Sequence, residues 1–161
     1  MRKIKEVIVV EGRYDKNTLS QIVDATVVTL GGFAVFNDRE KVAFLRRLAE
    51  ERGLIVLTDS DGAGFVIRNY LKGALPRDRV KQAYIPDVYG KEKRKRAPGK
   101  EGKLGVEGMR PEVLLEALRR ASAGRTVISI SHRIYEQLGG RMIEIRALDG
   151  ETGEGKDLNP A

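Results

Sequence analysis

Short runs of aliphatic and β-branched residues alternate along the chain with stretches of helical spacing, and this alternation constrains the fold most. Residues 7–10 (VIVV), 26–30 (TVVTL) and 54–58 (LIVLT) are three such runs, and residues 80–85 form a weaker fourth. A four-residue run with no polar position reads as a strand buried on both faces, as in a parallel sheet. Between the runs, residues 15–23 place Leu19, Ile22 and Val23 on one helical face. Residues 38–52 do the same with Val42, Leu45, Leu48 and Ala49. Asn37, with Glu40 three residues on, has the form of a capping box. Gly53 stands where a C′ glycine would stop the helix. Residues 64–72 read as a further helix. The order βαβαβαβ, with crossovers long enough for parallel pairing, predicts an α/β fold: a parallel four-stranded sheet sandwiched between helices.

A last helix is expected from Pro111, a suitable N1 residue, through Ala121. Residues 126–131 and 142–146 are read as a small hairpin or extra strands, and residues 150–161 as disordered tail. The expected organisation is one domain over residues 1–121, including a basic loop at 91–103, and a short, partly disordered C-terminal appendage over 122–161.

Composition narrows the chemistry. The 161 residues include no cysteine and a single histidine, His132, so thiolate and histidine-rich metal sites are excluded. Any bound metal must be held by carboxylates, which favours Mg²⁺ or Mn²⁺. No apolar run reaches the roughly eighteen residues of a membrane span, and Glu6 interrupts any leader behind Met1-Arg2-Lys3. No signal peptide is predicted, and a cytoplasmic location is expected. The net charge of +7 is concentrated: residues 91–103 hold seven Lys or Arg against two Glu. Lys91, Lys93, Arg94, Lys95, Arg96, Lys100 and Lys103 read either as a solvated loop or as an arm gripping a polyanion. The segment has no apolar face to insert into a lipid surface.

Ligands of parallel α/β sheets bind beyond the carboxyl ends of the strands. Glu11 directly follows the first strand; Asp59 directly follows the third, with Asp61 two residues on. If those strands are neighbours, three carboxylates share one crevice, which demands a cation or a proton. The plainer readings are a solvent-facing Glu11 and a turn, Asp59-Ser60-Asp61-Gly62, that caps the next helix. An EF-hand loop is excluded, because Ala63 and Tyr70 fall at ligand positions.

Residues 7–19 (VIVVEGRYDKNTL) and 54–68 (LIVLTDSDGAGFVIR) together resemble the two motifs of the Toprim family. The resemblance implies a Rossmann-like parallel sandwich in which Glu11, Asp59 and Asp61 bind Mg²⁺ and Glu11 also acts as general acid or base. It is closest to the branch that matures the 5S ribosomal RNA precursor, through residues 4–15, the Ile67-Arg68 pair and residues 104–107 (LGVE). Phe33 stands where that branch usually has a small polar residue, and Gly108 where it has histidine. The implied partners are RNA, in particular the 5S precursor, and a 5S-binding large-subunit ribosomal protein.

With no cysteine and little length, the chain suits neither the primases nor the topoisomerases of the family, which leaves metal-dependent endoribonuclease chemistry. Arg68 is then a candidate phosphate contact, or else an ordinary helix-surface arginine. Gly31 and Gly32 are candidates for close backbone approach to the substrate. Glu107 would be a fourth carboxylate or a cap of the helix at Pro111, and Asp15 a cap of the first helix. Two alternatives remain. One is a haloacid-dehalogenase-like phosphatase with Asp59 as nucleophile, which leaves Glu11 unexplained. The other is a nucleic-acid-binding protein on a Toprim scaffold without nuclease activity.

Overall fold

Helical residues carry the chain across a central sheet between successive strands. The computed structural model describes residues 1–94, 96–99 and 101–123. In chain order the elements begin with β1 (Arg2–Lys3), β2 (Val7–Val10), α1 (Arg13–Ser20), β3 (Val23–Asp24) and β4 (Val27–Thr29). A 3₁₀ helix over Gly32–Asn37 leads into α2 (Arg39–Arg52), followed by β5 (Leu54–Leu57), α3 (Gly62–Ala74) and β6 (Val80–Ala83). A second 3₁₀ turn, Val106–Gly108, precedes α4 (Pro111–Ser122).

Among the described residues the main sheet is parallel throughout and ordered β4-β2-β5-β6; β1 and β3 form a separate short parallel pair. Strand period decides which residues fill which layer. Ile8 and Val10 of β2, with Ile55 and Leu57 of β5, face a core closed by Leu19, Leu114 and Leu118. Val7 and Val9, with Leu54 and Val56, face the opposite core with Leu45, Ala49, Ile67 and Leu71. This two-sided burial explains why β2 and β5 contain no polar residue, and it is the α/β sandwich expected.

Several local expectations shift. The first helix spans Arg13–Ser20 rather than 15–23, because Val23 leaves it to pair with β1. Asn37 ends the preceding 3₁₀ helix, so Asp38 is the N-cap of α2, accepting from the Lys41 N–H at 2.8 Å. Gly53 does stop α2, at φ 77°. The readings at 126–131, 142–146 and 150–161, and nearly all of the appendage at 122–161, lie outside the described residues.

Arg68 requires the largest correction. It lies on the inner face of α3 and is only 5% exposed. Its guanidinium donates to the carbonyls of Thr58 (3.3 Å) and Ala83 (2.7 Å) and to the Gln82 side chain (2.9 Å), and it sits over the Tyr84 ring. It therefore ties together the carboxyl ends of β5 and β6 instead of reaching for a phosphate at the surface. Burial pulls its pKa down to about 10, which still leaves it charged at neutral pH.

Removing a buried partner leaves the others unsatisfied. Arg68→Met is expected to cost about 2–4 kcal/mol in urea denaturation, with Arg68→Lys recovering only part of it.

Candidate functional site

Because β2 and β5 are neighbours with Val9 opposite Val56, Glu11 and Asp59 emerge side by side at the carboxyl edge. The link is direct: the Asp59 N–H donates to Glu11 Oε1 at 3.1 Å. Asp61 is the N-cap of α3, its Oδ1 accepting from the Gly64 N–H at 2.9 Å. The capping reading of that residue is therefore met, and its carboxylate still adds to the field at Glu11. Gly64 is glycine for a steric reason. A Cβ there would run into the Asp59 carbonyl and lie 3.0 Å from Glu11 Oε1.

Asp15 joins the cluster. It caps α1 by accepting from the Gly12 N–H at 2.9 Å, and its charge is felt by Glu11. Burial, then repulsion from Asp59, pushes Glu11 up to about 7. Burial, then Asp59, likewise raises Asp15 to about 6, with Glu107 adding further repulsion. Only its capping role was legible in the sequence, since the approach of Asp15 to Asp59 depends on how α1 packs.

The segment after β6 folds back over these acids rather than extending as an arm. The Val106 N–H donates to Asp59 Oδ1 at 2.7 Å, and a Cβ on Gly105 would overlap the Asp59 carboxylate. Glu92, at 3% exposure, accepts from the Gly105 N–H at 3.1 Å and anchors the turn. Glu101 accepts from the Gly62 N–H at 2.8 Å, at the start of α3. Two acids that had counted only as a deduction from the basic run thus hold it in place.

The basic residues consequently divide. Lys103 turns inward, bonding the Ser60 carbonyl (3.1 Å) and pairing with Asp87 and Glu101. Arg94 lies over the Tyr14 ring and forks onto Glu107 at 3.0 and 3.2 Å. Lys91, Lys93 and Arg96 are exposed; Lys95 and Lys100 lie outside the described residues. Glu107 is engaged by Arg94 and does not cap α4, whose N-cap is Arg110. Gly31 and Gly32 direct their N–H groups to the Glu11 carbonyl, at 3.0 and 3.2 Å.

The donor chemistry fits a hard divalent ion: oxygens only, with a concentration of negative charge that already raises Glu11. Among the described residues, however, no three acidic side chains are disposed as a metal cage. The printed contacts turn one oxygen each of Glu11, Asp59 and Asp61 onto a backbone N–H.

Residues 5–86 match the Toprim domain family, and the chain belongs to that family. It is similar to Ribonuclease M5 of Fusobacterium nucleatum, with 42% identity over 120 residues, which is 74% of this chain and 60% of that protein. Against Ribonuclease M5 of Clostridium botulinum the identity is 39% over 118 residues, 73% of this chain and 59% of that protein. The chain thus spans about 60% of the length of these curated relatives. Among solved structures, a small TOPRIM domain protein from Bacillus stearothermophilus matches with TM-score 0.51 and 25% identity, covering 75% of this chain and 91% of that one. No helix among the described residues is long and apolar enough to cross a membrane.

Glu11 and Asp15 bind protons more tightly in the folded chain than in the unfolded one. Stability therefore falls as pH rises from about 4 toward about 7. In buffer without divalent cations, Glu11→Gln is expected to flatten that decline and to add about 1–2 kcal/mol near pH 8, after discounting for solvent screening. Added Mg²⁺ should raise the melting temperature of the wild type more than that of the variant.

Proposed function

We propose that this chain is a metal-dependent endoribonuclease that hydrolyses phosphodiester bonds in structured RNA. The observation that carries the reading is the meeting of Glu11 and Asp59 at one sheet edge, under a basic segment that closes on the same carboxylates. It is supported by membership of the Toprim family and by similarity to ribonucleases M5. The resemblance drawn from the sequence points to the 5S ribosomal RNA precursor as substrate, to a 5S-binding ribosomal protein as the partner that presents it, and to a cytoplasmic setting.

Glu11, Asp59 and Asp61 would hold Mg²⁺ or Mn²⁺, which when bound supplies an activated water and offsets charge on the scissile phosphate. Glu11, with its pKa near 7, is suited to exchange a proton with water or the leaving oxygen at neutral pH. The Val106 N–H fixes the orientation of Asp59. Arg68 holds the strand ends from beneath, so it positions the site without touching substrate. Lys91, Lys93 and Arg96 are the exposed cations that would meet the RNA backbone.

Cleavage of structured RNA with Mg²⁺ tests the reading. Glu11→Gln and Asp59→Asn should each reduce the rate by at least about 100-fold while leaving RNA affinity within a few-fold. Cutting by both variants at the wild-type rate would refute the assignment. Trapping of a phosphoryl group on Asp59 would instead favour a phosphatase.

Replacing Lys91, Lys93 and Arg96 together by serine should weaken RNA binding and reduce the slope of log affinity against log salt by about 2. A slope equal to that of the wild type would remove these residues from the interface.

A further inference from the structure

The carboxyl edge carries a second feature beside the acids. After β4 the chain turns at Gly31 and Gly32, both at positive φ (79° and 61°), and both N–H groups donate to the Glu11 carbonyl. Phe33 follows immediately, so its backbone is held one residue from a turn bonded to the catalytic strand end. Its ring stacks on Phe36, centroids 5.5 Å apart and 24° from parallel. Phe36 is met edge-on by Tyr70 of α3, at 4.8 Å, and α3 is the helix that Asp61 caps. Phe33 nevertheless remains 54% exposed, whereas Val35 in the same 3₁₀ turn is fully buried. Beside the turn lies a cation. The Lys41 ammonium bonds the Leu30 carbonyl at 3.1 Å and sits 3.9 Å from where a Cβ on Gly31 would be.

A rigid exposed ring, an ammonium and an acid cluster thus lie along one short stretch of the sheet edge. A nucleotide matches that set: its base has a π-face for the ring, its phosphate a charge for the ammonium, and its strand continues toward the acids. Because Phe33 is already braced by Phe36 and Tyr70, little side-chain freedom is lost when a base stacks on it. We propose that Phe33 is a stacking shelf for an unpaired base next to the scissile phosphate. Bases inside a duplex have their faces covered by their neighbours. The shelf therefore selects RNA that is single-stranded on one side of the cut, such as an overhang, bulge or loop. This inference rests on the RNA reading above and adds a specificity determinant to it.

The test compares two RNA hairpins, one blunt and one with a short overhang carrying 2-aminopurine, bound in EDTA by wild type, Phe33→Trp and Phe33→Leu. Wild type should prefer the overhang hairpin and change the 2-aminopurine emission. Phe33→Leu keeps bulk without a π-face, and should reduce the overhang-to-blunt affinity ratio by about 5- to 100-fold. Phe33→Trp should retain the ratio. An unchanged ratio in Phe33→Leu overturns the shelf while leaving the nuclease reading intact. A change of oligomeric state in that variant, with RNA binding unaltered, would make the ring a protein contact and also overturn it. If wild type binds neither hairpin, the RNA reading itself falls, and the shelf falls with it.

Discussion

The parallel pairing of β2 with β5 is the constraint on which the rest of the site depends. Adjacent strands lie about 4.8 Å apart, so carboxylates one and two residues beyond their ends cannot avoid each other. Glu11 and Asp59 share a hydrogen bond through the Asp59 backbone, and burial and repulsion together hold Glu11 near pKa 7. The neighbouring features accommodate this concentration of charge. Gly64 leaves room for the Asp59 carbonyl, and Arg68 places a buried cation under the strand ends. The 3₁₀ turn at Val106–Gly108 contributes the N–H that accompanies Asp59.

The site extends beyond the domain core. The Toprim match ends at residue 86, yet Glu92, Glu101, Gly105 and Val106 complete the surroundings of the acids. Similarity to ribonucleases M5 runs over about 120 residues, longer than that core. A segment first read as a charged arm is thus also a structural cover. Its acids and Lys103 face inward, and Lys91, Lys93 and Arg96 face solvent. One stretch of chain can therefore shape the carboxylate site and present charge to a polyanion, because alternate residues are committed to different neighbours.

Much of the fold was legible because hydrophobic period reports burial directly. Residues 7–10 and 54–58 announced strands covered on both sides, and glycines at 31–32 and 53 marked the breaks. Less visible were features that depend on competition between neighbours. Asn37 yielded the cap of α2 to Asp38 because a 3₁₀ helix intervened. Val23 left its helix to pair with a two-residue strand.

The acids show the same division. Sequence by itself determined which residues could do the chemistry: with no cysteine and one histidine, only oxygen donors were available, and Glu11, Asp59 and Asp61 stood at strand ends. Only the tertiary structure decided how those charges are used. Arg68, expected near the surface, became the buried tie between β5 and β6. Asp15 proved to be part of the acid cluster, Lys103 turned inward, and Phe33 stood exposed beside the turn that holds Glu11. The physical reason is that periodicity is a property of the chain, whereas Coulomb forces, hydrogen bonds and stacking act through space. Their partners lie tens of residues away and are known only once the sheet has brought them together.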